Sequence, residues 1–588
     1  MTTQEVRSLQ PPDLDGPGDA TVRRDGLIVG ALVLLALVLR APNLGRAYWI
    51  DEGISVGIAS HPLRQLPRLL GMDGSPPLFY VVLHFWMRAF GTSPLATHCL
   101  ALLVSLGAIP LAYWAGRDLF DRRAGVAAAA LMATNPFLTW YSTETRMYPI
   151  VVVLALAGLT LTVRAVRHRR WPDAAGAVLV FAALLYTHNW GLYLFAATAG
   201  VLLTLALARR DTRLALAVSG AAIGVLVLWL PWLPSLVAQA RDTAAPWAIR
   251  PQIGDFFADQ ASALGGTLGF LVAPLLALGA WWTGRHPGPG EDSRGGVWGI
   301  AGHDGQADDG TDGGPRPVTG LYGGRSAADA NRARWQDSTW DGVLRDRPLA
   351  RLLGAIGILT ALTGWLVAQI EPSWTVRYLA VIVAPLLLAA AGALAPSRRG
   401  RLIIVATCVL LAGWSAIGSL IPNSNARYAK SNVAAVAQAA SSELAPGDVV
   451  VVTQTEQLAV LAHYLPKGLV YITPTGPVQD PYVVDWRNIV TRLQQARACR
   501  AVDPSIEALP VGAHVLEINP VRQLGASGSS WYRAVNAQVT TIDRLLATDP
   551  SLQAIASYQQ AVKPRPYSPV IGELFLRTAG ADPCALTS

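Results

Sequence analysis

Charge is what this sequence has least of. Only 15% of its 588 residues are Asp, Glu, Lys or Arg, where a soluble domain carries about 25%. That shortage excludes an ordinary water-soluble enzyme. Cysteine is scarce too, at 4 residues, and no Cys/His spacing suggests a structural zinc site. Neither a Gly-x-x-x-x-Gly-Lys phosphate loop nor a Gly-x-Gly-x-x-Gly fingerprint occurs, so no nucleotide cofactor is expected. The net charge of +8 comes mostly from arginines in short loops and does not indicate a nucleic-acid partner.

What is abundant is apolar sequence, 52% of the chain, in blocks near the roughly 20 residues needed to cross a bilayer. About eleven spans are predicted, at 27–41, 96–115, 124–141, 149–165, 174–190, 191–208, 214–235, 263–283, 351–370, 378–395 and 402–421. Basic clusters test this reading. Arg23-Arg24 precedes the first span, and Arg117, Arg122 and Arg123 follow the second. Arg164, Arg167, Arg169 and Arg170 close the fourth, Arg209, Arg210 and Arg213 follow the sixth, and Arg398, Arg399 and Arg401 follow the tenth. All fall on one side if the N-terminal tail, residues 1–26, is cytoplasmic. The first span is read as retained, because Arg40-Ala41-Pro42-Asn43 offers no clear cleavage site for a signal peptide. Leu78–Phe90 is apolar and aromatic but short. It is read as a helix lying at the outer interface, since a full span there would reverse every later cluster.

Two regions fall outside this pattern. Residues 285–350, rich in Gly, Asp, Arg and Pro, are expected to be a disordered cytoplasmic insertion within the 27–421 membrane module. Residues 423–588 are expected to form an extracytoplasmic α/β domain. Its predicted strands are Asp448–Thr453 after a Pro446-Gly447 turn, Leu469–Thr473, His514–Ile518 and Leu574–Arg577. Its predicted helices are Gln457–Tyr464 and Trp486–Ala498. Cys499 and Cys584 both lie there, where a disulfide between them is plausible, while Cys99 and Cys408 are packing residues in spans.

The residues that could carry chemistry gather in the outer loops. Asp51-Glu52 follows the first span. Two adjacent carboxylates beside a membrane are costly to desolvate, so they are a functional-site hypothesis by default. A carboxylate in a water-exposed pocket suits a general base for a hydroxyl; the structural alternative is a helix cap or a salt bridge to Arg46. Pro76-Pro77 is read as architectural, starting the interfacial helix. In Tyr141-Ser142-Thr143-Glu144-Thr145-Arg146-Met147-Tyr148, Arg146 could hold a lipid phosphate. Glu144 there could orient an acceptor, ligate a metal or pair with that arginine. His188, in Thr187-His188-Asn189-Trp190, could bind phosphate or an acceptor hydroxyl, or be a satisfied buried histidine. Arg377, beside Tyr378, is a second phosphate candidate, or a side chain reaching for the interface.

Trp49-Ile50-Asp51-Glu52, Ser75-Pro76-Pro77-Leu78, the Tyr141–Tyr148 stretch and Arg377-Tyr378 occur in an order and topology that resemble GT-C fold glycosyltransferases. The resemblance is to the bacterial branch related to protein O-mannosyltransferases (glycosyltransferase family 39-like) and the lipid A aminoarabinose transferase, and it covers about residues 27–421. It implies a polyprenyl-phosphate sugar donor, transfer at the outer face, Asp51 as the catalytic base and Glu144 as a second acid. Some members bind a divalent cation, Mg or Mn, near these acids, which would make Asp51 and Glu144 metal ligands here, and others do without one.

The expectation is therefore an α-helical polytopic membrane protein, GT-C-like, with an extracytoplasmic α/β domain. Asp51, Glu52 and Glu144 are its catalytic candidates. Arg146, Arg377 and His188 are its donor-phosphate candidates, and Tyr148 and Tyr378 its substrate-binding candidates. The acceptor could be a glycan, a glycolipid or a protein. A lipid or glycan transporter (or flippase) and a non-catalytic cell-wall assembly scaffold are the alternative classes. The acids lie in outer loops rather than mid-span and no inverted repeat is evident, which disfavours the transporter.

Overall fold

The computed structural model describes residues 17–243, 245–285, 340, 343–521 except 421–429, 528–559 and 569–578. Among these, nine helices are long and apolar enough to cross a membrane, and Leu78–Phe90 and Trp171–Leu185 are shorter apolar helices. In chain order, the first elements are α1 (Pro17–Arg40), α2 (Ile50–Ser60), α3 (Leu66–Asp73), α4 (Leu78–Phe90), α5 (Pro94–Leu119), α6 (Arg122–Thr134), α7 (Pro136–Tyr141), α8 (Tyr148–His168) and α9 (Trp171–Leu185).

The span expected at 124–141 is interrupted. Pro136 opens α7, and proline both lacks an N–H and disfavours helix in the residue before it. Asn135 sits at the break, accepting from Leu138 N at 3.0 Å and donating to Ala263 O and Leu264 O, each at 3.1 Å. The carbonyls freed at the end of α6 are taken by Arg40 of α1. It is fully buried and donates to Met132 O (2.9 Å), Ala133 O (3.2 Å) and the Ser105 hydroxyl of α5 (2.6 Å). This break delivers Tyr141–Tyr148 to the site. The span expected at 174–190 is likewise helical only to Leu185. Most of the 285–350 segment lies outside the described residues. Its end is a correction, because Asp346–Ile370 is one continuous helix that starts five residues before the expected span.

The C-terminal domain carries one six-stranded sheet in the order β3-β2-β1-β4-β6-β5. The strands are β1 (Val449–Val452), β2 (Val470–Thr473), β3 (Gly476–Val478), β4 (His514–Pro520), β5 (Leu552–Tyr558) and β6 (Val570–Arg577). β1 runs parallel to β2 and β4, while β3, β5 and β6 add antiparallel edges. Alternate residues of each strand face opposite sides. Val450, Val452, Leu516 and Ile518 pack with Val436, Leu458 and Leu461 on one face. Val449, Val451, Val515 and Phe575 pack with Val502, Ile542 and Leu546 on the other. The helix expected at Trp486–Ala498 is instead two, Ile489–Gln495 and Ala498–Glu507. Gln538 takes the carbonyls where the first ends, at Leu493 (2.7 Å) and Ala496 (3.4 Å). Cys499 is disulfide-bonded, Cys99 and Cys408 are free thiols, and Cys584 lies outside the described residues.

This domain sits directly on α2. Glycine is required at two helical neighbours on that face. A Cβ on Gly53 would fall 2.4 Å from Val460 Cγ2, and one on Gly57 would fall 2.2 Å from the Tyr482 carbonyl oxygen. Tyr48 N donates to the Tyr464 hydroxyl at 2.8 Å, and His61 pairs with Asp480 at 2.7 Å. Val483, Trp486 and Trp531 share one apolar cluster with Tyr48, Leu70 and Tyr80.

Candidate active site

Asp51 is in the first turn of α2 and Arg377 is in the short 3-10 turn Val376–Leu379. Arg377 Nη1 lies 3.2 Å from Asp51 Oδ2, and Arg146 Nε lies 4.0 Å from the same oxygen. Arg146 also donates to the Ser55 hydroxyl at 2.9 Å and to Asp51 O at 3.3 Å, which fixes its loop on α2. Two guanidiniums therefore converge on one carboxylate. Burial works against the Arg146 charge, but Tyr148 and Asp51 outweigh it and leave the group above its ordinary value. Asp51 makes neither ion pair with the expected structural partner, Arg46; the Arg46 guanidinium instead donates to Asn43 Oδ1 at 2.6 Å.

Glu52 has a different environment from its neighbour. It is 3% exposed. Its Oε1 accepts from Thr145 N at 2.8 Å and meets His98 Nε2 at 2.6 Å, and its Oε2 accepts from Trp49 N at 3.3 Å. The last contact is half of a capping box at the start of α2. Burial alone would raise this carboxyl; His98 and Lys430 outweigh it and hold the group below its usual value. Glu52 was expected among the catalytic acids, but both oxygens are committed to joining α2, α5 and the Thr145 loop.

Of the roles open to Glu144, pairing with Arg146 is not the one seen: its partner is Lys430, contributed from the chain entering the C-terminal domain. The Lys430 ammonium lies 4.5 Å from the Trp49 ring centre and 4.8 Å from that of Trp140, a cation–π cage. Burial pushes it down to about 7, with Glu52 and Asp51 pulling it back up. The His188 ring packs against Tyr378 at 4.9 Å and Tyr148 at 6.1 Å between centres, and its Nδ1 accepts from Trp190 N at 3.1 Å. That bond leaves Nε2 as the proton-bearing nitrogen. The structure thus brings Asp51, Arg146, Arg377, Tyr148, Tyr378 and His188 together, with Glu144 at the Lys430 side.

Sequence reading missed four participants. Lys430 is one of 3 lysines in a chain with 47 basic residues, a signal that could have singled it out. Asp73 adjoins the Ser75-Pro76-Pro77 motif and accepts from the Tyr80 hydroxyl at 3.1 Å; burial raises its carboxyl, and Asp51 adds to the shift. His98 and Glu456 carried no local signal. Glu456 is 5% exposed, in a turn of the outer domain that contacts α2, and burial pushes it up to about 7, with a contribution from Asp51.

Among the described residues, the buried atoms Asp51 Oδ2, Glu144 Oε2, Arg146 Nε, Arg377 Nε, Tyr148 Oη and Glu456 Oε2 lack hydrogen-bond partners. Unsatisfied groups of this kind are costly unless a ligand completes them. The free donors are two guanidinium N–H groups and the neutral Tyr148 hydroxyl, and they suit an anion such as phosphate. A divalent cation between Asp51 and Glu144 does not fit this set. Asp51 already faces two guanidiniums and Glu144 an ammonium, so an added double charge would meet three cations with two carboxylates to hold it.

Residues 74–234 match a family model described as dolichyl-phosphate-mannose-protein mannosyltransferase. The crystal structure of ArnT from Cupriavidus metallidurans in the apo state is similar over 94% of this chain and 98% of that one, with 13% identity and a TM-score of 0.51. The same protein bound to undecaprenyl phosphate matches over the same shares, with 15% identity and a TM-score of 0.42. The oligosaccharyltransferase of Archaeoglobus fulgidus, in complex with Zn and sulfate, matches over 83% of this chain and 67% of that one, with 12% identity and a TM-score of 0.40. No curated protein sequence matches significantly. The chain has the GT-C fold of membrane glycosyltransferases. Residues 74–234 are similar to the protein mannosyltransferase family model, and the fold is similar to that of ArnT.

Proposed function

We propose that the chain transfers a sugar from a polyprenyl-phosphate donor to a hydroxyl of an envelope acceptor, at the outer face of the cell membrane, with Asp51 as general base. One observation carries this reading: Arg146 and Arg377 both aim at the Asp51 carboxylate. In the resting site, Asp51 is their counter-charge. A donor phosphate entering there competes for the same guanidiniums, which bind phosphate oxygens in pairs. Drawing them off leaves the carboxylate free to accept a proton.

The reaction follows from that exchange. The acceptor hydroxyl gives its proton to Asp51 as its oxygen attacks the anomeric carbon. The bond between that carbon and the phosphate oxygen breaks, and the electron pair leaves with the lipid phosphate. Arg146 and Arg377 stabilise the growing charge. A single displacement inverts the anomeric centre. His188 donates from Nε2 as a neutral imidazole, because burial beside two guanidiniums disfavours its protonation. Tyr148 and Tyr378 line the donor side. Glu52 positions the loop, and the pairing of Glu144 with Lys430 ties that loop to the chain entering the C-terminal domain. No divalent ion is needed at Asp51. The family model's printed name, with its dolichyl-phosphate-mannose donor, supports a lipid-phosphate sugar, and the arginine clusters support a cytoplasmic N-terminus.

The test is binding of a short-chain polyprenyl phosphate to the purified full-length protein, with Arg146→Gln and Arg377→Gln alongside. Binding that weakens in both variants supports the donor reading. Binding unchanged in both would remove the arginines from the donor site. Chelation with EDTA is expected to leave this binding unaltered.

A further inference from the structure

A second cluster of acids lies in the outer domain, and nothing in the transferase reading uses it. Glu517 on β4 and Glu573 on β6 stand directly opposite each other in the antiparallel register. Like charges placed so are destabilising. The helix Ser530–Thr548 crosses this face of the sheet, its Ile542 and Leu546 packing with Val515 and Phe575. It brings a third carboxylate, Asp543. One oxygen from each of Glu517, Asp543 and Glu573 lies within 4.8 Å of the others.

Clustered acids alone do not define a site. Here the central one is also buried and unpartnered. Glu517 has 0% exposure, and neither of its carboxylate oxygens has a well-aligned hydrogen-bond partner. The Asn519 side chain, two residues along the strand on the same face, gives it only a weak hydrogen bond that burial outweighs. Among the described residues, no Lys, Arg or His pairs with any of the three acids. A buried carboxylate in this setting is expensive unless something positive completes it. Asp543 is exposed and Glu573 half-buried, so the cluster opens to solvent on one side and an ion could enter and keep water ligands.

We propose that Glu517, Asp543 and Glu573 bind a calcium ion. An all-oxygen donor set selects a hard cation. Oxygens within 4.8 Å of one another are close enough to share one ion, and calcium takes oxygen ligands at about 2.3–2.6 Å in flexible geometry. Magnesium demands shorter bonds and nearer-ideal octahedral geometry. The ion would tie the Ser530–Thr548 helix to two sheet strands. The N-cap of that helix reaches the membrane module, where the Ser529 hydroxyl donates to Pro246 O at 2.5 Å, and its Trp531 packs on Trp486 of the same domain, which in turn meets Trp247 at 4.8 Å. Calcium would therefore stabilise the docked outer domain through ligand linkage.

The experiment is thermal unfolding of the full-length protein in detergent, stripped with EGTA and titrated with CaCl2 or MgCl2 to about 1 mM, the weak end for calcium modules. Calcium is expected to raise Tm, with magnesium giving a smaller rise. Glu517→Gln and Asp543→Asn are expected to abolish the rise or to move its midpoint to about tenfold higher calcium, since affinity follows ligand charge. Asp543 is exposed, so its variant keeps the test valid if Glu517→Gln does not fold. A wild-type protein that ignores calcium, or an unchanged rise in the Asp543 variant, would overturn the proposal.

Discussion

Arg377 Nη1 and Asp51 Oδ2 are 3.2 Å apart, yet the Arg377 Nε and the Asp51 Oδ2 both lack an aligned hydrogen bond. The two charges neutralise one another without satisfying one another. A site built this way holds its base and its phosphate ligand as mutual placeholders.

Both arginines are then required for transfer. Removing either guanidinium is expected to lower transfer about 10²- to 10³-fold, the scale of losing one donor to a developing anion. Arg146→Lys keeps charge but not the paired donors, and recovers only part of the rate. Steady-state transfer at varied donor concentration checks this. Rates within twofold of wild type in both variants would place the phosphate elsewhere.

Glu52 and Asp51 adjoin in sequence but should fail differently. Glu52→Gln removes a charged acceptor from Thr145 N and His98 Nε2, at a cost of about 1–3 kcal/mol. The expected result is a lower Tm, with activity falling as the Thr145–Arg146 loop loosens. A Glu52→Gln protein with wild-type Tm but no activity would make Glu52 chemical rather than positioning.

Glu456 supplies a pH dependence. Burial raises its folded carboxyl from 4.5 to about 7. The folded state thus binds more protons than the unfolded one between those values, so this group's contribution is full below about pH 4.5 and is lost as pH rises through about 7. Glu456→Gln should flatten that part of the stability profile and raise Tm relative to wild type at pH 8. Thermal melts across pH 4–8 read this out, and parallel profiles for the two proteins would contradict it.

Gly57 tests the docking of the outer domain. A methyl group there meets the Tyr482 backbone carbonyl at 2.2 Å, which no rotamer change can relieve. Gly57→Ala should cost about 1–3 kcal/mol, in the range of overpacked sites. Limited proteolysis would show faster release of the outer domain. A variant as stable and as resistant as wild type would mean that the α2 contact is dispensable.

Much of the site was legible because its parts are short motifs beside apolar blocks. Arg146 and Arg377 each sit within a few residues of a span end that composition alone locates, and Asp51 lies ten residues beyond one. What was not legible depends on contacts distant in sequence. Lys430 meets Glu144 across 286 residues and His98 meets Glu52 across 46. Periodicity also misses helix breaks satisfied from elsewhere. The Asn135-Pro136 interruption depends on Arg40, and the break after Gln495 on Gln538. In the outer domain, β1, β2, β4 and part of β6 were visible as apolar runs. β5 was not, because Gln553, Ala554 and Ile555 are exposed on an edge strand.

Asp51 as the base is the central claim, and sugar transfer tests it most directly. Radiolabelled sugar is offered on a panel of synthetic polyprenyl-phosphate donors to a cell-envelope extract, with wild-type and Asp51→Asn proteins at equal folded amounts. Transfer by wild type that falls about 10²- to 10⁴-fold in the variant, the usual weight of a general base, is the expected result. Equal transfer by both proteins would contradict it.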